Sequence, residues 1–306
     1  MIRRVSLVSF VLALLTFGTP RAQVIQGSIL GIVTDASGAT IPGVEVTVRH
    51  QGTNIRRSMV TNDRGEYRIG GLEAGLYEVS AELPGFRAFR QTDVEVNLGQ
   101  SRRVNIQLEL GEVSDEVTVG SSLSQIDTES ATISNVKSDR DYKQLPLSIF
   151  GRGWANITNV TAGVQSKSGF EVNGARDTAN NFTSDGISVN DITSSRNTAN
   201  GFSGEIEMLQ EVKIMTTNAS AEYAQVAQFA AVSRSGTNDL HGSLYWGNFN
   251  SYFSARQWES PTGASFTNHN MFAVTNGGPI FIPGLYDGRD RTFYFFSYGG
   301  ARYRIG

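Results

Sequence analysis

The chain has 306 residues, a formal net charge of −3 and no cysteine. That balance argues against nucleic acid, which calls for a basic surface. The missing cysteine excludes a disulfide framework, a thiol nucleophile, a cysteine-held metal and a lipid-anchored cysteine.

Residues 1–22 read as an export signal. Arg3 and Arg4 make a basic start, Val5 to Phe17 an apolar run, and small residues lie near Ala22. The run is about thirteen residues, short of the roughly 20 that a spanning helix needs. The cleavage site departs from the usual pattern, because Pro20 stands two residues before Ala22. Removing the segment takes the charge to −6, since it holds three arginines and no acid. No later stretch is long and apolar enough for a helical span, so any membrane crossing would have to be β. The remaining length suits two domains.

From Gly27 to Leu110 the hydrophobic period is two. Val44, Val46 and Val48 alternate with Glu45, Thr47 and Arg49, and the pattern returns at Tyr77-Val79-Ala81-Leu83, Val94-Val96-Leu98 and Val104-Ile106-Leu108-Leu110. Turn formers separate the runs at Asp35–Gly38, Pro42-Gly43, Asn62–Gly65, Ala74-Gly75, Pro84-Gly85 and Leu98-Gly99. The expectation is an antiparallel sandwich of about seven strands. Some fifteen inward positions supply a core of its own, and the domain is expected to fold alone.

The order Gly31-x-Val33-x-Asp35-x-x-Gly38-Ala39-x-Ile41-Pro42-Gly43-Val44, Asp63-x-x-Gly65-x-Tyr67-x-Ile69, Leu72-x-x-Gly75-x-Tyr77-x-Val79 and Pro84-Gly85-Phe86 resembles the carboxypeptidase-regulatory-like, transthyretin-type sandwich. In that family the domain is a non-catalytic appendage. A generic exported sandwich, such as an adhesin or carbohydrate-binding module, is the other reading of this segment alone.

After Gly111 the composition turns to Ser, Thr, Asn and Asp. Short elements are expected: a polar-amphipathic stretch from Asp139 to Leu147, a strand at Phe170–Asn173, a helix-length patch from Gly204 to Gln210 and a strand from Glu211 to Thr216. This reads as an α+β domain with long loops. From Gly236 onward aromatic runs (Leu244-Tyr245-Trp246, Tyr252-Phe253, Phe293 to Tyr298) are broken by Gly, Asn and Asp, as in membrane strands with aromatic girdles. Adjacent Phe295 and Phe296 interrupt the alternation.

Further motifs follow in order: Leu145-Pro146-Leu147, Gly151-Arg152, Val172-Asn173-Gly174-Ala175-Arg176, Asn180-Asn181-Phe182-Thr183-x-Asp185-Gly186, Ile206 to Val212, and Asn218-x-Ser220-Ala221-Glu222-Tyr223. Ser235-Gly236-Thr237-Asn238-x-x-His241-Gly242-Ser243, Gly277-Gly278-Pro279-Ile280 and Arg291-Thr292-Phe293-x-Phe295 complete the series. Together they resemble the plug and first barrel strands of TonB-dependent outer-membrane receptors, of the Oar-like group that carries an N-terminal regulatory-like sandwich. The resemblance implies a mainly β protein: signal peptide 1–22, sandwich 23–112, plug 113–235 and the first strands of a truncated barrel at 236–306. It implies TonB, outer-membrane lipid and a small ligand (siderophore, oligosaccharide or peptide) as partners, a sandwich facing the periplasm, and no cofactor. Leu145, Pro146, Leu147, Arg152, Asn173, Gly174, Arg176, Asp185 and Gly186 carry the plug motif. A Ser/Thr/Asn/Gly-rich surface also suits a plug lying against a polar lumen wall.

Asp115, Glu116, Val117, Thr118 and Val119 resemble a TonB box, whose extended backbone can add to a partner's sheet edge. The same five residues can equally be a last strand of the sandwich. One departure from the family is Ala224 to Phe229, where glycines are usual after Ser-Ala-Glu-Tyr. A position needing positive φ would be strained there. Another is length: residues 236–306 suffice for roughly three or four strands, whereas closed barrels need at least eight. The expectation is a fragment that does not transport alone.

Enzyme readings find little support. His50, His241 and His269 lie in different segments without ligand or triad spacing. Gly151-Arg152-Gly153 lacks the third glycine of a nucleotide loop. Asp185-Gly186 with Asn190-Asp191 lacks the spacing of a calcium loop, and a turn fits better. The alternative function is a secreted or periplasmic β-sandwich binding or adhesion protein for a glycan or protein.

Overall fold

The computed structural model describes residues 26–111, 116–120, 132–144, 161–165, 171–190, 206–217, 226–254 and 266–305. The export signal, Asp115, Leu145-Pro146-Leu147, Arg152 and Asn218 to Gln225 lie outside the described residues.

The N-terminal strands are β1 (Gly27–Asp35), β2 (Glu45–His50), β3 (Arg56–Val60), β4 (Glu66–Leu72), β5 (Gly75–Glu82), β6 (Ala88–Val96), β7 (Ser101–Arg103), β8 (Ile106–Leu108) and β9 (Glu116–Gly120). One sheet runs β4-β1-β7 with β8 also on β1, and the other runs β3-β2-β5-β6-β9. Between them Val44, Val46, Val48, Val79, Ala81, Val94, Val96, Ile106 and Leu108 are buried, as their alternation requires. The predicted turns are in place: Gly38, Gly43, Gly65, Gly85 and Gly99 all adopt positive φ. Asp35 Oδ1 accepts the Ser37 and Ala39 amides.

Two expectations are corrected. The sandwich is not wholly antiparallel, because β7 and β8 both lie parallel to β1, and β9 lies parallel to β6. After β6 the chain returns along the free side of β1 and must run in its direction. Gly31 sits where β7 gives way to β8, and a Cβ there would strike the Val104 carbonyl. Leu110 is 79% exposed, since β8 has already ended at Leu108.

The middle unit contains β10 (Ile133–Ser138), α1 (Asp139–Gln144), β11 (Val164–Gln165), β12 (Glu171–Val172), β13 (Asn180–Ser184), β14 (Ile187–Ser188), β15 (Leu209–Thr217) and β16 (Ala227–Ser233). Its main sheet has the order β10-β15-β16-β13-β14, and β13 is parallel to β16. Phe182 and Phe229 stack at 4.6 Å in a core shared with Tyr142, Ile206, Val212 and Ile214. The expected helix at 204–210 is instead a single 3₁₀ turn, Ile206–Met208, followed at once by strand. So short a stretch cannot repay helix nucleation, whereas pairing with β16 satisfies its backbone. A register shift between Leu209 and Glu211 rephases the strand, so Leu209 joins Val212 and Ile214 in the core.

At Ala227 to Phe229, where the family pattern has glycines, the chain is regular strand, and none of residues 226–233 has positive φ. No glycine is required there.

The C-terminal strands β17 (His241–Asn250), β18 (Thr267–Pro279) and, beyond a hairpin of β19 (Phe281–Ile282) and β20 (Tyr286–Asp287), β21 (Phe293–Ile305) form an antiparallel meander in the order β17-β18-β21. Phe296 pairs with Asn276 and Phe295 with Gly277, so the adjacent phenylalanines lie on opposite faces.

Candidate functional site

The box candidate is strand β9. Its backbone pairs with β6 in the register Ala88↔Glu116, Phe89↔Val117, Arg90↔Thr118 and Gln91↔Val119. Among the described residues β9 ends the five-stranded sheet, and its other edge borders no further strand of that sheet. The geometry joins both readings of these residues. They form a strand of the sandwich sheet, and they present an edge to which another strand can add.

The plug-motif residues inside the described segments are turn residues. Asn173 (φ 50°) and Gly174 (φ 78°) turn the chain after β12, and Asn173 Nδ2 donates to the Thr216 carbonyl at 3.1 Å. Arg176 is exposed, and its carbonyl accepts the Ala179 amide. Asp185 (φ 49°) and Gly186 (φ 81°) form the two-residue connection between β13 and β14, where two positive φ values are needed. Asp185 Oδ1 accepts the Ser233 amide at 2.8 Å. Its carboxylate thus ties the β13–β14 turn to β16. Because Leu209 pairs with Ser233 while Thr216 lies near the far end of β15, Asn173 and Asp185 brace opposite ends of the same strand pair.

Several residues that matter were not singled out in the sequence. Arg234, just past β16, forms an ion pair with Asp139 of α1 and donates from Nε to the Leu209 carbonyl at 2.9 Å. The Tyr142 hydroxyl donates to the same carbonyl, fastening α1 to the start of β15. Burial pushes that phenol above its ordinary range, so it stays a donor. Beneath them runs an amide network: Asn190 Nδ2 donates to Asn181, Asn181 Nδ2 to Gln228, and Gln228 Nε2 to Thr183. Polar side chains inside a small sheet domain are satisfied by one another here.

The middle unit also touches the sandwich. Glu211 of β15 accepts the Leu98 amide, Lys213 Nζ donates to the Leu98 carbonyl at 2.8 Å, and Gln210 Nε2 donates to the Ala74 carbonyl at 2.5 Å. Glu211 and Lys213 are only 3% and 7% exposed. Burial lifts the Glu211 carboxyl to about 7, against the lowering effects of the Leu98 amide and Lys213. The sequence signal for this pair was an acid and a base flanking Val212, just before Ile214 and Met215.

On the meander, Leu244 pairs with Val274 and Val274 with Tyr298, while Trp246 pairs with Phe272. All five are exposed on one face, and Phe296 joins them one register step away. Phe272 covers Gly300, filling the gap left by its missing side chain. On the opposite face His269, Met271, Ala273 and Thr275 are buried, and β18 lies against the Ile206–Met208 turn. His269 stacks on Tyr303 at 4.0 Å. His50, in β2, accepts the Thr53 amide at Nδ1 and is held below its ordinary range mainly by burial. No group of acids and histidines able to hold a metal occurs among the described residues, and no helix is long and apolar enough to cross a membrane.

Known proteins match this arrangement in the same order. The carboxypeptidase regulatory-like domain family matches residues 28–109, and the outer membrane beta barrel domain family matches residues 232–306. The TonB-dependent transporter Oar of Myxococcus xanthus is 27% identical over 290 residues, covering 88% of this chain and 26% of that protein. The chain therefore spans about a quarter of the length of that relative. Among solved structures, the TIE protein of Bacillus anthracis is 20% identical over 28% of this chain and 16% of its own, with a TM-score of 0.24. The dioxygenase domain of a carbohydrate-binding fusion from Streptomyces sp. SirexAA-E is 12% identical over 31% of this chain and 86% of its own, with a TM-score of 0.25.

Proposed function

We propose that this chain, similar along most of its length to an Oar-like TonB-dependent transporter, is the N-terminal part of a receptor of that kind: sandwich 23–112, plug 113–235 and barrel from 236. The similarity is to a transporter, and it supports a receptor or transporter role at the outer membrane. The observation that carries the reading is the two-sided meander. One face shows Leu244, Trp246, Phe272, Val274, Phe296 and Tyr298 to the outside, and the other packs against the middle unit. A first barrel sheet with lipid outside and a plug inside has this character. A secreted adhesin would leave that apolar face in water.

On this reading the sandwich faces the periplasm and TonB adds a strand to the outer edge of β9. A pull on β9 passes into the segment leading to β10, and so to the plug sheet. Asn173, Gly174, Asp185 and Gly186 shape the turns that brace that sheet. The ligand, whether siderophore, oligosaccharide or peptide, enters from outside.

The test is binding of TonB's periplasmic domain to the detergent-solubilised chain. Val117→Pro removes a backbone donor from β9 without touching the plug and should abolish binding. Binding unchanged by Val117→Pro would move the box elsewhere.

A further inference from the structure

The middle unit holds the sandwich at the Ala74 turn through Gln210 and, more extensively, at the turn from Asn97 to Gln100. Residues Asn97 to Gln100 connect β6 to β7, and the turn is internally fixed, with the Gln100 amide donating to the Asn97 carbonyl at 3.0 Å and Gly99 at φ 59°. Both polar groups of its buried member Leu98 are used by one strand of the plug: Glu211 takes the amide and Lys213 the carbonyl. Lys213 Nζ also lies 3.4 Å from the Gly99 carbonyl. Residues two apart on a strand share a face, so β15 presents acid and base side by side to the two backbone groups of a single residue.

We propose that Glu211 and Lys213 form a proton-responsive latch that docks the sandwich on the plug, closed in mild acid and loosened as pH rises. A docked, neutral Glu211 still accepts the Leu98 amide and carries no buried charge. Once released, the carboxyl is solvated and ionises in the ordinary range, near 4.5. Docking therefore takes up a proton between about 4.5 and 7, is strongest below that window and is lost progressively as pH rises through it.

Burial sets this sign, and the charged neighbours act on it from both sides. Glu95, on β6 of the sandwich, adds like charge to Glu211, while Lys213 opposes it. Arg140 and Asp141 of α1 line a polar cleft of about 800 Å³ with Glu95 and Lys213, which gives water and protons a route to the latch. On β10, Lys137 pairs with Val212 and so lies on the other face, and Val232 is the β16 partner of Glu211. The inference concerns how the two units are coupled and does not depend on TonB.

The absence of native cysteine allows clean labelling. Spin labels at Ala36→Cys in the sandwich and Ser188→Cys in the plug, on the full chain in detergent, would report the separation by pulsed electron resonance from pH 5 to 8.5. The expected result is one narrow distance at pH 5 and a second, longer population growing as pH rises. Each pK unit between docked and released states corresponds to about a tenfold change in the docking equilibrium, so at least about a tenfold shift is expected. Glu211→Gln keeps an acceptor without a charge and should hold the narrow distance throughout. A pH-independent distance in the unmodified chain, or a shift that persists in Glu211→Gln, would overturn the proposal. Should the variant fail to fold, amide exchange at Leu98 in the otherwise unchanged chain decides the matter: protection corrected for intrinsic rate must fall between pH 5.5 and 7.5.

Discussion

Asn54 donates from Nδ2 to the Asp290 carboxylate at 2.7 Å, joining loops 236 residues apart in sequence. Asn238 donates to the same carboxylate at 2.8 Å, the Asp290 amide returns a bond to Asn238 Oδ1, and the Asn238 amide reaches the Gly52 carbonyl. A sandwich loop, the approach to β17 and the connection between β18 and β21 are thereby tied together. In the receptor reading this connection lies on the periplasmic side, together with the sandwich.

Asp290→Ala removes the shared acceptor and places alanine at a φ of 60°. The expected loss is about 1–2 kcal/mol in local protection, since charge-assisted bonds contribute about 1.5–3 kcal/mol where buried and these are exposed. Amide exchange at Asn238 measures it, and unchanged exchange would show that the tie does not persist in solution. Asp290→Asn, which keeps an acceptor and tolerates the left-handed backbone, should retain most of the protection.

Within the sandwich, Tyr67 donates its hydroxyl to the Val104 carbonyl at 2.7 Å in a buried setting. The fragment 23–112 is expected to be soluble and to unfold cooperatively, and Tyr67→Phe should destabilise it by about 1–3 kcal/mol, the cost of an unsatisfied buried carbonyl. Burial also holds this phenol above its ordinary value of 10.0, with Arg103 opposing. A group raised in the folded state contributes stability that is full below its unfolded value and lost as pH climbs past it. Denaturant midpoints should therefore fall above about pH 10 in the unmodified fragment and fall less in Tyr67→Phe.

Much of this was legible beforehand, for identifiable reasons. Val44, Val46 and Val48 face a single core, and a period of two says so directly. Gly38, Gly65 and Gly99 mark turns because the backbone there takes positive φ, which glycine adopts without strain. The direction of β7, β8 and β9 was not legible, since side-chain alternation is the same in parallel and antiparallel strands. The Ile206–Met208 turn misled because Glu, Met, Leu and Gln favour helix until pairing with β16 overrides them. Arg234, Glu211 and Lys213 escaped notice because their partners Asp139 and Leu98 are distant in sequence, and composition carries no trace of such pairings.

Arg234 supplies a direct check on the middle unit. Its guanidinium serves Asp139 and the Leu209 carbonyl together, a fork that a lysine ammonium cannot reproduce. Arg234→Lys should therefore behave much like Arg234→Met, each loosening α1 by about 1–3 kcal/mol. Arg140 lies in that helix and is exposed, so the rate of tryptic cleavage after Arg140 reads the loosening. Both variants should be cut several-fold faster, and cleavage at the original rate in Arg234→Lys would show that one charge suffices.

The meander offers the sharpest contrast between its faces. Trp246 is 68% exposed beside Phe272, whereas Ser297 pairs with Thr275, which is buried on the side facing the middle unit. If the exposed face meets lipid, Trp246→Lys carries a charge into hydrocarbon at a cost of about 2–4 kcal/mol near the bilayer midplane, falling toward the interfaces. Ser297→Lys adds the same charge on the lumen side, where water and polar groups can receive it. With the chain refolded into lipid vesicles, Trp246→Lys should lower the membrane-bound fraction at least several-fold while Ser297→Lys leaves it nearly unchanged. Equal losses in both variants would count against a lipid-facing meander. A loss confined to Ser297→Lys would reverse the assignment of the two faces.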